Sequence, residues 1–405
     1  MRERSLKAYI ETLALSRNKM VFLSGPRQVG KTTLAKKFID KDENYLNWDF
    51  LQTRKAWLLG SDQIAKNLLE ERKPRVVLDE FHKNKKWKTQ LKGFFDQYDK
   101  NIQIILTGSA KLNTFRKGAD SLLGRFIHFH LLPFCQGELM RVAPLSFKEF
   151  EIFLNKPSEI TNHNLAQVRE DMMSRLFKFG GFPEPFENQS EEFHRIWTKN
   201  RNELLIRQDV KELSNIFDIG HVELLASFLP DRVGSPLSIQ SLREDLDIAH
   251  TTVSRWLLAL SQVYYQFDLR PFSKSIPRSL KKEAKIYLYD WSDVQEKGPR
   301  FENMIACHLL KMMNFYNDTG QADLKLHYLR DKDGNEVDFL MTNKNKPLFS
   351  IEAKLGQRSL DTTYLRFQKR IRCPHFQIIM DKDFLRKHQN DAYVISFDLF
   401  FSNLP

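Results

Sequence analysis

The sequence predicts an α/β protein in several parts: an N-terminal parallel sheet built around a P-loop, a helical lid, a winged-helix module and a C-terminal mixed α/β domain. Three observations carry this expectation. A short apolar run passes directly into GPRQVGKTT and then into a helical pattern. Two helical segments between Leu237 and Ser261 are separated by a short turn and followed by a strand-like run. Residues 276–405 alternate strands with helices.

At 405 residues, with 41% hydrophobic and 28% charged residues, the composition suits soluble globular domains rather than a disordered chain. The expected divisions are 1–140 for the P-loop core, 141–217 for a helical lid or connector, 218–275 for the winged-helix-like module and 276–405 for the last domain. No apolar run approaches the roughly 18 residues of a membrane span. MRERSLKAYIETL at the start lacks the long apolar region of a secretory signal. Cys135, Cys307 and Cys373 are far apart and without C-x-x-C spacing, which fits a reduced cytoplasmic protein with no structural zinc. A net charge of +12 favours a polyanionic partner, with DNA the leading expectation. Part of the charge lies in HKNKKWKTQLK, His82 to Lys92. That segment reads either as a solvated helical face or as a surface for nucleic acid or an acidic partner.

Met20 to Ser24 (MVFLS) reads as a strand. The nine residues after it, Gly25, Pro26, Arg27, Gln28, Val29, Gly30, Lys31, Thr32 and Thr33, have P-loop spacing between a strand and a helix. Gly25 and Gly30 permit backbone angles that turn successive N–H groups toward phosphates. The helix opening near Lys31 adds its positive end. Lys31 supplies a charge for the β- and γ-phosphates and the Thr32 hydroxyl suits Mg²⁺, so ATP and Mg²⁺ are the predicted ligands.

RVVLDE, Arg75 to Glu80, follows as a strand buried on both faces that ends in two acids. Asp79 is placed to hold Mg²⁺ through water, and Glu80 to polarise the attacking water. The other reading is an acid pair capping a helix. IQIIL, Ile102 to Leu106, is a third strand, and Thr107 or Ser109 after it either senses the γ-phosphate or forms a plain turn. Arg125, before the strand FIHFHLL, is either an arginine finger offered to a neighbouring subunit of a homo-oligomer or a surface arginine. His128 and His130 share one strand face and read as structural.

From Ser146 to about Phe217 the pattern is helical. Ser146 and Glu149 in SFKEFEIFL have capping-box spacing, and FGGFPEPF, Phe179 to Phe186, reads as a loop. RNELLIRQDVKEL resumes a helix, and Arg175, Arg201 or Arg207 are the arginines such a lid would offer to a phosphate. Further on, a helix, a turn at Asp247 to Ala249 and a second helix from His250 to Ser261 form a helix-turn-helix candidate. His250, Thr251, Thr252, Ser254 and Arg255 open the second helix and have the character of base-edge contacts. VYYQFDL follows as a wing would. The same unit also serves as a packing module between domains, and the sequence leaves both readings open.

In the last domain GPRFENMIACHLLKMMN is a helix with Glu302 in its first turn and Phe301, Ile305, Leu309 and Met312 on its core face. KIYLY, LKLHYL, EVDFLMT, LFSIEAKL, FQIIM and DAYVISF are strands, and TYLRFQKRI a helix. Glu352 and Lys354 share a strand face by the two-residue period. A five-residue loop, Asn343 to Pro347, pairs Asp338 with Glu352, and it suits Pro347, which has no N–H for a ladder. The two carboxylates are then about 5 Å apart at Cβ, a spacing at which both reach one divalent cation. Lys354 would orient or deprotonate a metal-bound water if burial lowers its pKa. A salt-bridged surface is the alternative.

GPRQVGKTT, RVVLDEFHK, LTGSAKL, LLGRF and FGGFPEP, in this order, resemble a bacterial and archaeal group of AAA-type ATPases. In that group an ATPase domain is fused to a C-terminal domain of unknown function. FENMIACHLL, YLRDKDGNEVDFL and IEAKLG are similar to the PD-(D/E)XK nuclease-like end of the same proteins. The resemblance implies ATP and Mg²⁺ at residues 25–33 and Asp79, with Glu80 catalytic. It also implies Glu302, Asp338, Glu352 and Lys354 as a nuclease-type set, with Asp338 and Glu352 on the metal and Val337 where the motif has proline. Cleaving and cleavage-dead members share this pattern, so two readings stand: an ATP-driven machine on DNA with a metal-dependent nuclease, or a nucleotide-switched regulator of DNA or protein with an inactive nuclease-like domain.

Overall fold

The computed structural model describes residues 2–70, 73–108, 122–159, 166–213, 216, 218–273 and 283–405. It forms two compact units, 3–132 and 133–405.

The first unit is built on five strands: β1 (Met20–Ser24), β2 (Tyr45–Asn47), β3 (Arg75–Asp79), β4 (Gln103–Thr107) and β5 (Phe126–His130). They are all parallel, in the order β2-β3-β4-β1-β5. β1 is buried along its whole length and β3 and β4 at all but their first residue, as a sheet covered on both faces requires. The unit's helices include α1 (Lys31–Lys36), α2 (Leu51–Leu59), α3 (Ser61–Leu68) and α4 (Trp87–Tyr98). Trp57, Ile64 and Leu68 from α2 and α3 join Trp87, Leu91 and Phe94 of α4 over Phe22, Val76, Leu78 and Ile104. The strands expected at β1, β3, β4 and β5 are present; β2, three residues long, lacks the apolar run that would have announced it.

In the second unit Ser146 caps α5 (Phe147–Asn155) through the expected box with Glu149. α6 (Ala166–Phe179) leads into FGGFPEPF, which is a loop only at its first part. Pro183–Asn188 is helical because proline at the first helical position gives up no intrahelical bond. α7 (Glu191–Leu204) runs into a wider π-type turn at Leu205–Val210. α8 (Ile219–Phe228), α9 (Ile239–Leu246) and α10 (His250–Gln262) follow, with Asp247 in the left-handed region closing α9. β6 (Gln266–Leu269) then pairs antiparallel with β7 (Lys285–Leu288). This pairing crosses residue 275, so the segments expected at 218–275 and 276–405 share a ladder and belong to one compact unit.

α11 (Lys297–Asp318) buries Phe301, Ile305, Leu309 and Met312 as its periodicity predicts. The remaining sheet comprises β8 (Leu324–Arg330), β9 (Glu336–Asn343), β10 (Lys346–Lys354), β11 (His375–Ile379), β12 (Leu385–Lys387) and β13 (Ala392–Ser396), in the order β12-β13-β11-β10-β9-β8. It is mixed: β10, β11 and β13 run parallel, and the other pairings are antiparallel. α12 (Leu365–Ile371) lies between β10 and β11 in sequence, as expected.

The β9–β10 turn corrects the expectation. Lys344 and Asn345, both at positive φ, form a two-residue connection, and Pro347 lies in the strand opposite Thr342. A register shift between Pro347 and Phe349 then restores the pairing that the longer loop would have given: Ile351 opposes Phe339, and the next step brings Glu352 beside Asp338. Leu355, just past β10, is 40% exposed.

Candidate nucleotide and carboxylate sites

The nucleotide cradle is the turn between β1 and α1. Gly25 has φ 150° and Gly30 φ 95°, and a Cβ at Gly25 would land on the Leu131 carbonyl oxygen. Only glycine fits that close approach. Gln28 is also left-handed, at φ 62°, and Val29 anchors the loop in the core. Pro26 is buried, Arg27 is half-buried, and Thr32 and Thr33 are half-buried at the start of α1. Lys31 folds back over the loop, donating from Nζ to the carbonyls of Gly25 at 2.9 Å and Pro26 at 2.7 Å.

β3 lies two strands from β1, and its last residue carries the site's carboxylate. Asp79 Oδ2 accepts from Thr32 Oγ1 at 2.9 Å and from the Tyr45 hydroxyl at 2.6 Å, and Oδ1 accepts from Thr107 Oγ1. Thr107 is paired with Asp79 across β3 and β4, which makes it the residue the structure brings to the carboxylate. Ser109 lies outside the described residues. Tyr45 was missed by sequence reasoning, and YLNWDF gives no signal for it, since β2 is too short to show a period.

Glu80 leaves the sheet with φ 54°. Burial raises its pKa, Asp79 adds to the rise, and Lys83, 3.7 Å away, works against it. The oxygen donors of Thr32 and Asp79 beside an N–H-lined turn fit a nucleotide with Mg²⁺. Arg125 is elsewhere. β5 runs parallel to β1 with Phe126 beside Met20, so Arg125 sits at the sheet's opposite edge. There it makes a two-pronged pair with Asp96, 2.6 Å and 3.1 Å. His128 Nε2 bonds Ser24 Oγ at 2.7 Å, a structural role as expected.

In the second unit Arg201 is 1% exposed and stacked over Phe182, with Trp197 beside it. Arg207 pairs with Glu223 at 2.6 Å. This corrects the expectation for Arg201, which is enclosed; Arg207 stays exposed beside its carboxylate partner. At the start of α10, His250, Thr251 and Arg255 are exposed, while Thr252 and Ser254 are half-buried. Ser254 Oγ donates back to the His250 carbonyl at 3.0 Å. A cleft of about 530 Å³ lies between α10, the start of α9 and the β6–β7 ladder, and Ser254, Leu258, Asp268 and Arg270 are among the residues lining it.

The carboxylates expected in the last domain do assemble, together with residues that were not expected. Lys285 of β7 is 1% exposed, and its Nζ lies 3.3 Å from Glu302 Oε1 and 3.5 Å from Asp338 Oδ1 and is ion-paired with Glu336. Tyr287 donates to Glu302 Oε1 at 2.7 Å. Asp338 Oδ2 accepts the Ala353 N–H at 2.9 Å. Glu352 is 3.0 Å from Lys354 Nζ, which is also 3.2 Å from Asp361.

Burial, reinforced by Asp338, pushes Glu302 up to about 7 and Glu352 up to about 8. Burial works against the Lys354 ammonium, but Glu352 and Asp361 outweigh it and the pKa is raised. These carboxylates hold the proton on Lys354, which suits orienting a water better than deprotonating one. Among the described residues no group of three or more His, Cys, Asp or Glu is arranged to hold a metal ion. Lys285 and Glu336 lie in the quoted strands KIYLY and EVDFLMT, where only the three-dimensional convergence gives them meaning.

Fold and cradle define the class of the first unit, an AAA-type P-loop ATPase domain. Residues 17–151 match the model of an AAA domain. Residues 170–292 and 297–398 match two domains of unknown function, DUF8612 and DUF4143. The chain is similar to the uncharacterized protein MJ1544 of Methanocaldococcus jannaschii, at 26% identity over 88% of this chain and 79% of that protein. It is also similar to the uncharacterized protein Rv2008c of Mycobacterium tuberculosis, at 24% identity over 68% of this chain; the match spans 55% of that longer protein. Among solved structures, the Aeropyrum pernix ORC1 protein in complex with DNA aligns with TM-score 0.33 and 13% identity over 76% of this chain and 93% of its own. PCH-2 of C. elegans aligns with TM-score 0.23 and 17% identity over 64% of this chain and 65% of its own. No described helix is long and apolar enough to cross a membrane.

Proposed function

We propose that the chain binds and hydrolyses ATP with Mg²⁺ and uses the cycle to act on DNA. The observation that carries the nucleotide part is the Asp79 carboxylate, which gathers the hydroxyls of Thr32 and Thr107 beneath the P-loop. Mg²⁺ would neutralise phosphate charge there, held by Thr32 and, through water, by Asp79. Lys31 binds phosphate, Glu80 takes the proton of the attacking water, and the loop N–H groups orient the chain of phosphates. Gly25 to Thr33 thus form the binding segment.

The DNA part rests on the +12 charge and on three helices followed by an antiparallel ladder, the elements of a winged helix. Thr251 and Arg255 would meet the groove first, with Thr252 and Ser254 behind them. Arg125, at the edge away from its own cradle, serves a neighbouring subunit if it serves any nucleotide. The buried free thiols of Cys135, Cys307 and Cys373 support a reduced, cytoplasmic setting.

For the last domain we favour a nuclease-like fold that does not cleave, because Lys285 already counters Glu302, Glu336 and Asp338. Metal-dependent cleavage is the competing reading, supported by the assembly of Glu302, Asp338, Glu352 and Lys354. Plasmid and linear DNA incubated with Mg²⁺ or Mn²⁺ separate the two: nicking that Asp338→Ala and Lys354→Ala abolish would establish cleavage. ATP turnover measured with and without duplex DNA over a salt series tests the leading reading. Turnover that ignores DNA, together with DNA affinity that ignores salt, would remove nucleic acid from it.

A further inference from the structure

The facing carboxylates Asp338 and Glu352 raise a physical problem, since opposed like charges in a sheet are destabilising without a compensating cation. A divalent metal is one solution, with hard oxygen ligands at short range. The structure contains a different one, divided between two lysines: Lys354 takes Glu352 and Lys285 takes Asp338. Lys285 enters from β7, a strand of the other ladder, and places its ammonium among Glu302 of α11 and Glu336 and Asp338 of β9.

The surroundings hold this arrangement in place. Tyr287, two residues along β7 and therefore on the same face, donates to the Glu302 oxygen that also meets Lys285. A Cβ at Gly234 would lie 2.9 Å from the other Glu302 oxygen, so the carboxylate is packed against backbone on that side. Asp338 has one oxygen toward Lys285 and the other on the Ala353 N–H. A metal at the centre of these acids would have to share the space with a buried ammonium, and poorly screened repulsion between the two cations opposes that.

We infer that Lys285 is the built-in cation of this cluster, standing between Glu302 and Asp338, two of the acids that a nuclease-type set would turn toward a metal, and that the cluster accepts a divalent ion only when Lys285 is removed. The inference rests on the reading of this domain as non-cleaving. Its consequence is a domain whose carboxylate geometry is maintained at any divalent-ion concentration.

The test uses the full chain, freed of nucleotide and metal, titrated with Mn²⁺ and followed by calorimetry and by the paramagnetic resonance of free Mn²⁺. Wild type is expected to show no tight site that Asp338→Asn removes. Lys285→Met is expected to gain one, binding roughly tenfold or more tightly than anything in wild type, and to lose it when Asp338→Asn is added. Where Lys285→Met is unstable, millimolar Mn²⁺ should restore its melting temperature, again only with Asp338 present. An Asp338-dependent Mn²⁺ site in wild type overturns the inference, as does a Lys285→Met protein that neither gains the site nor is restored by the ion. Plasmid cleavage on the same samples keeps the two readings apart. Nicking by wild type removes the non-cleaving reading. A tight Asp338-dependent site without nicking removes only the inference.

Discussion

Thr32 Oγ1 donates to Asp79 Oδ2 at 2.9 Å, joining the end of the P-loop to the end of β3 across 47 positions of sequence. The bond positions a hydroxyl and a carboxylate as a pair before any cation arrives, so little ordering remains to be done on binding. Thr32→Val keeps the shape of the side chain and deletes the hydroxyl. Its affinity for a fluorescent ATP analogue should fall on the order of tenfold in Mg²⁺, about 1.4 kcal/mol, and far less in chelator. Equal losses in both media would mean that the hydroxyl shapes the loop and has no role toward the metal.

Glu80 and Lys31 should separate binding from turnover. Lys31 approaches the loop carbonyls that phosphates would replace as its partners, so Lys31→Ala should weaken nucleotide binding itself. Glu80 stands beyond the strand, half-covered and beside Lys83. Glu80→Gln should bind within a few-fold of wild type and hydrolyse about 100-fold or more slowly, the scale of a lost general base. Wild-type turnover by Glu80→Gln would take Glu80 out of that role.

The parts that could be read from sequence are those where one local rule decides. The P-loop spacing, the buried run of β3, the box of Ser146 and Glu149, and the α9–turn–α10 unit all depend on neighbours within a few residues. Pro347 shows where that stops. A missing N–H argues for a loop, yet a two-residue turn and a bulge satisfy the same hydrophobic pattern and leave proline in the strand. Lys285, Glu336 and Tyr45 were illegible for another reason. Each gains its role from elements 17 or more residues away, and a single sequence carries no distance information of that kind.

Arg255 offers the simplest reading of the α10 surface, being exposed one turn into the helix. Arg255→Glu should weaken duplex binding roughly tenfold and lower the slope of log affinity against log salt by about one. Thr251→Ala should change affinity less and alter the preference among duplex sequences. An Arg255→Glu protein with unchanged affinity and slope would place the DNA contact elsewhere and favour α9 and α10 as a packing module.

His308 makes a prediction about acid stability. It is 3% exposed on α11, its Nδ1 bonds the Met304 carbonyl at 2.8 Å and its Nε2 accepts the Gln136 N–H at 3.2 Å. A proton on Nε2 would turn an acceptor toward a donor, the Gln136 N–H, in a buried site. Burial accordingly pushes the ring from its ordinary 6.5 down to about 3. Because the folded value is the lower one, the unfolded chain binds the extra proton between these limits. The stabilisation is complete above pH 6.5 and is lost progressively as pH falls toward 3. The slope is about 1.4 kcal/mol per pH unit. Glu302, Glu352 and Asp293 are raised and act with the opposite sign, so the difference between a variant and wild type is the informative quantity. His308→Gln removes the titration, and whatever its cost near neutral pH, it should recover about 1 kcal/mol relative to wild type between about pH 6.5 and about pH 5.5. Urea unfolding at those two pH values measures it, and a difference that stays constant would show that His308 is not held neutral in the folded protein.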